Sequence, residues 1–153
     1  MPVRTRTFLT IYVLIFISSS PAQHTHVDSL QALLPELREE ARRVEVLTEL
    51  CEACRTRNLK RAEHFGKQAV ALAEELGDPR LQARALVELG WVQEAMKRNA
   101  QATRSFTSAI TFAREAVDAR FEAAALRGLG NVALNQGNAT DATMQYREAL
   151  RLF

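Results

Sequence analysis

Two cysteines three residues apart, in Cys51-Glu52-Ala53-Cys54, have the spacing best suited to chemistry in this chain. In an oxidising compartment a C-x-x-C can be a disulfide or a redox pair. Its reactivity needs a thiolate, favoured by a helix N-terminus or a cationic neighbour. This pair falls in the middle of a helical run, so packing is expected rather than reactivity. A zinc ion would require two further ligands, and His64 is the one plausible histidine nearby. His24 and His26 could hold copper or nickel beside a free N-terminus, yet they lie in a polar stretch and are expected to be solvated. Glu39, Glu40, Glu74, Glu75 and Glu88 read as solvated helix faces rather than paired catalytic carboxylates. No glycine-rich phosphate loop is present. Asn138-Ala139-Thr140 matches a glycosylation sequon, of consequence only in a eukaryotic secretory pathway. No catalytic residue, metal site or cofactor is predicted.

The elements that carry these residues are helices. Asp28 is placed to cap a short helix ending at Leu34, and Pro35 interrupts the pattern. From Glu36 to about Arg57, the residues Leu37, Ala41, Val44, Leu47, Leu50, Cys51 and Cys54 recur at three and four. Asn58 can cap the next helix, with Ala62, Phe65, Ala69, Leu72 and Ala73 on its apolar stripe. Gly77-Asp78-Pro79 is a stop followed by a restart. Two more helix pairs are expected over 80–97 and 100–117, then 119–136 and 139–153, with Asn99 and Asn138 as caps. No stretch reads as a strand.

Much of this is written twice. Residues 85–110, ALVELGWVQEAMKRNAQATRSFTSAI, match residues 125–150, ALRGLGNVALNQGNATDATMQYREAL, forty positions later. Leu89/Leu129, Gly90/Gly130, Ala102/Ala142, Phe106/Tyr146 and Ala109/Ala149 are among the shared positions. A fixed period of this size marks stacked helical repeats. A degenerate earlier copy has Leu47, Leu50, Cys51 and Cys54, then Ala62, Phe65 and Ala69, with a loop one residue shorter. Small residues suit close helix crossings, and the leucines and aromatics fill the gaps between them.

Leu86-x-x-Leu89-Gly90 with Ala102, Phe106 and Ala109, and the matching set through Ala149, resemble the tetratricopeptide repeat. The resemblance covers about residues 43–153, as copies over 43–79, 80–118 and 119–153. The family's usual period is 34, so the helices or turns here are longer. Its large aromatic on the first helix is replaced by Cys54, Gln93 and Ala133, and its helix-ending proline is absent except as Pro79. The resemblance implies an all-α fold of antiparallel helix pairs stacked as a short right-handed solenoid of about three repeats. It also implies a concave groove, lined by the first helices, that binds a protein or peptide.

The positions that would line such a groove are Arg84, Val87, Trp91 and Glu94, then Arg127, Asn131 and Leu134, with Glu45, Thr48, Glu52 and Arg55 from the first copy. Trp91 lies off its helix's core stripe. It is either an interface anchor or packed on a neighbouring helix. Arg84, Arg127 and Asn131 either hold a carboxylate or are merely solvated. At the other end, Leu150, Leu152 and Phe153 lack the polar cap that terminal repeats need, so that either the chain is a fragment of a longer receptor-like protein or the open end packs on another molecule, self-association through that repeat included.

The first residues stand apart. Arg4 and Arg6 precede the apolar run 8–17 and the small-residue segment Ser18-Ser19-Ser20-Pro21-Ala22, the pattern of a signal peptide cleaved after Ala22. A run of ten residues falls short of the roughly 20 that span a bilayer. Without Arg4 and Arg6, 18 Lys+Arg face 18 Asp+Glu, so the basic sequence pI is no sign of nucleic-acid binding. After a lead-in and short helix over 23–42, the expected product is an exported, non-enzymatic interaction scaffold, periplasmic or extracellular. Its partner would be a protein or peptide, with no nucleic acid and no membrane contact once the leader is removed. Two alternatives are the sensor region of a truncated bacterial signalling protein and, third, a thiol-active protein using Cys51 and Cys54.

Overall fold

A computed structural model describes residues 21–153, with side chains from His26 onward. The leader expected over 1–22 therefore lies outside the described residues except for its last two. Among the described residues the fold is all-α, with seven helices. They are α1 (Pro21–Leu33), α2 (Glu40–Arg55), α3 (Leu59–Leu76), α4 (Pro79–Ala95), α5 (Asn99–Glu115), α6 (Ala119–Asn135) and α7 (Ala139–Leu150). None of them is long and apolar enough to cross a membrane.

Several boundaries differ from the sequence expectation. Asp28 is internal to α1 rather than its cap. The helix expected from Glu36 begins at Glu40, because Pro35 forces a turn and Glu39 remains extended (φ −86°, ψ 115°). Asn58 and Asn138 do cap α3 and α7, each accepting from a backbone N–H three residues on. Asn99 does not cap α5. Arg98 occupies that position, Asn99 is the first helical residue, and its buried Oδ1 finds no hydrogen-bond partner among the described residues. Asp78 and Asp118 cap α4 and α6, each accepting from the next backbone N–H groups.

The forty-residue period is visible in backbone geometry. Gly77 and Val117 both adopt positive φ (65° and 53°), and so do Lys97 and Gly137 (60° and 79°). Arg98, Asp118 and Asn138 each close the preceding helix by donating to the carbonyl five residues back. Asn58 donates four residues back, which is the shorter loop of the first copy.

Helices pair in chain order, α2 with α3, α4 with α5 and α6 with α7, while α2 touches α4 and α4 touches α6. The apolar interior is a series of overlapping clusters. One joins Leu30, Val46, Leu50, Cys51, Phe65 and Val92, and another joins Val87, Phe106, Ala109, Ala125 and Val132. Ala41, expected on the apolar stripe, is exposed, whereas Val46 and Thr48 are buried because α2 is enclosed by α1, α3 and α4.

Phe106 is fully buried between two glycines. A Cβ added at Gly90 would lie 2.6 Å from its Cε1, and one at Gly128 would lie 2.5 Å from the same atom. Tyr146 approaches Gly130 in the same way, at 2.5 Å. In the first pair the sizes are exchanged. Gly66, forty residues before Phe106, faces Cys51 and Leu89, with an added Cβ 3.1 Å from the Cys51 Sγ. Gly66, not Phe65, is therefore the counterpart of Phe106, and the larger partner has moved to the facing helix.

Candidate functional site

The face shared by α2, α4 and α6 gathers most of the polar residues expected to bind. At its centre Trp91, half-buried on α4, packs edge-on against Phe106 with centroids 5.1 Å apart and planes at 70°. Two guanidinium groups flank the indole, Arg127 from α6 at 5.1 Å from the ring centroid and Arg55 from α2 at 6.0 Å. Stacking of this kind is favourable because the ring face carries negative charge. Trp91 is therefore packed on a neighbouring helix, and its ring also meets two cations of the fold.

The two arginines differ in what else they hold. Arg55 Nη1 donates to Glu88 Oε2 at 3.0 Å, and the Glu88 side chain is 19% exposed. Burial pushes the Glu88 carboxyl above the usual range, and the opposing pull of Arg55 does not cancel it. Arg127 is exposed and, among the described residues, has no carboxylate within 4.0 Å. Its charge helps to lower Glu88 against the effect of burial, and its fork of N–H groups can donate to a further acidic group while stacked.

The remaining expected site residues divide. Arg84 reaches across to α2, 3.9 Å from Glu45 and 3.7 Å from Glu49, so its charge is shared within the fold. Glu94 accepts from Asn135 Nδ2 at 2.6 Å. Asn131 accepts the Tyr146 hydroxyl at 2.7 Å and ties α6 to α7 rather than holding a ligand carboxylate with that oxygen. Leu134 is 52% exposed. Val87 does not line the face. It is 3% exposed, because α6 lies against that side of α4, and belongs to the core. Thr48 is likewise buried and donates to the Val44 carbonyl at 2.7 Å.

Sequence reasoning missed Glu88, which it placed on a solvated face. The signal was its position one helical turn before Trp91 on a helix already assigned to the groove. What periodicity could not supply was Arg55, thirty-three residues earlier, arriving from a neighbouring helix.

Cys51 and Cys54 are unbonded and buried. Burial and the nearby Glu88 carboxylate push the Cys51 thiol up to about 12, so a thiolate is strongly disfavoured. Burial also raises Cys54. Among the described residues no three His, Cys, Asp or Glu side chains are grouped to hold a metal. No family model matches the chain, and no curated protein is detectably similar to it.

Proposed function

We propose that the chain is an exported, non-enzymatic protein-interaction scaffold. In this reading its three helix pairs form a short tetratricopeptide-like solenoid whose α2/α4/α6 face binds an acidic peptide or helix. The observation that carries the reading is Arg127, stacked on a half-buried Trp91 and left without a carboxylate. An aromatic anchor beside an exposed guanidinium with no carboxylate in contact is the composition of an interface hot spot.

Two further features support it. The forty-residue recurrence of Gly90/Phe106 as Gly130/Tyr146 is expected of stacked units. The first helices touch one another while α3, α5 and α7 do not, which curves such a stack toward the α2/α4/α6 side. The export part of the reading is supported by the pattern of residues 1–22.

Trp91 is the lone tryptophan, so its emission reports on the face directly. Titration with a library of acidic peptides should give saturable emission changes that Arg127→Ala weakens at least tenfold. Trp91→Phe should keep the contact with Phe106 and fold normally. Binding that persists unchanged in Arg127→Ala, or no member of the library shifting the emission, would refute the reading.

A further inference from the structure

Glu88 lies on α4, the helix between α2 and α6. Of the charged side chains paired across that face it is the most enclosed, 19% exposed against 29% to 35% for Arg84, Arg55, Glu49 and Glu45. Its one ion-pair partner among the described residues is Arg55, and Arg55 has no other carboxylate within 4.0 Å there. That contact neutralises one of the two guanidinium groups beside Trp91 and leaves the other, Arg127, without a carboxylate in contact. Arg55 and Arg127 are chemically alike and stand 6.0 and 5.1 Å from the same ring centroid. Glu88 is what makes them unequal toward a ligand.

The charged groups that act on Glu88 are Glu52 and Arg55 from α2, Arg84 from α4 itself and Arg127 from α6. The helices α3 and α5 also pack on α4 and add no charged group to this set. The Cys51 thiol of α2 is close enough to feel Glu88 and is itself neutral. Burial dominates the balance and favours the protonated carboxyl. A carboxyl held above its ordinary range takes up its proton in the folded chain before the unfolded chain does, so the fold gains stability from it as pH falls through that range. Protonating Glu88 therefore changes the charge of the face without loosening the helices that build it.

We propose that Glu88 is the specificity residue of the α2/α4/α6 face, setting how many anionic groups a ligand can place there. Ionised, it holds Arg55 and limits the face to one anionic group, taken by Arg127. Protonated, it leaves the Arg55 charge uncompensated, and the face takes a ligand with two neighbouring anionic groups. The inference rests on the reading of this face as a binding site for an acidic peptide or helix, and adds to it the number of charges the ligand carries.

The probes are an alanine-rich helical peptide carrying one cysteic acid and the same peptide carrying two, four positions apart so that both lie on one side. Their sulfonates stay ionised throughout. Calorimetry with the full chain in mildly alkaline buffer should give near-equal affinities for the two. As pH falls, the second sulfonate should gain about tenfold, the worth of one charged hydrogen bond. Glu88→Gln keeps the shape of the side chain and the native circular dichroism, and should show that gain already in alkaline buffer, with no more on acidification. Adding Arg55→Ala to Glu88→Gln should abolish it at every pH. The proposal is overturned if Arg127→Ala weakens both peptides while Glu88→Gln leaves their ratio as in the wild type, or if the double variant keeps the gain. Binding of neither peptide, or binding indifferent to Arg127→Ala, refutes the reading of the face itself and this inference with it.

Discussion

Replacing Gly128 by alanine sets helix propensity against packing, and the structure says which wins. In an open helix interior the change gains about 1 kcal/mol. Here the new methyl would stand 2.5 Å from Phe106 Cε1 and closer still to Cζ. The ring cannot retreat, since it is fully buried and Gly90 closes its other side. Overpacking a core costs about 1–3 kcal/mol, and a contact this close belongs at or above the upper end. The expected net loss is about 2 kcal/mol or more. Phe106→Leu should by itself cost about 1–2 kcal/mol, a fraction of the loss for truncation to alanine. It also removes the atoms that the methyl strikes. The double variant should therefore be more stable than the sum of the single losses by at least about 1 kcal/mol, within the range known for touching residues. Urea unfolding followed by circular dichroism reads all four proteins, with unchanged slopes letting the midpoints report stability. If Gly128→Ala is stabilising, and additive with Phe106→Leu, the ring does not lie between these glycines.

Three other outcomes follow from particular contacts. Val117 is 90% exposed and held at φ 53°, so Val117→Gly should stabilise by about 0.5–1 kcal/mol by releasing left-handed strain; a lowered urea midpoint would contradict this. Burial raises the Asp118 carboxyl, but hydrogen bonds from the Arg120 side chain and the Phe121 and Arg120 backbone outweigh it and hold the net value below the usual range. A depressed carboxyl contributes stability that is present above about pH 4 and lost as pH falls. The advantage of the wild type over Asp118→Asn, about 0.5–1 kcal/mol at neutral pH, should therefore vanish on acidification in urea titrations at stepped pH. Alkylation of Cys51 and Cys54 in the native protein should proceed only as fast as the fold opens and accelerate with urea. Fast labelling of either thiol without denaturant would show that it is not packed.

Periodicity, caps and the repeated segment determined the helical class, the Asn58 and Asn138 caps, and the recurrence of Gly90 and Phe106 as Gly130 and Tyr146. These are local or repeated properties, readable because helix geometry fixes which residues share a face and a cap acts within one turn. The register of Arg98 and Asn99 was less legible. Asparagine is the better cap in isolation, but the turn at Lys97 sets the helix start, and it takes Arg98 instead.

Only the tertiary structure decided what each position expected in a groove contacts. Val87 and Trp91 both lie on α4, yet α6 buries one and leaves the other half open. The same helix brings Arg127 over Trp91, while α2 brings Arg55 to Glu88. A helical pattern gives the direction of a side chain from its own axis, not what a neighbouring helix places there. The core face was therefore largely readable along the chain, and the arrangement of the α2/α4/α6 face depended on contacts between residues more than thirty positions apart.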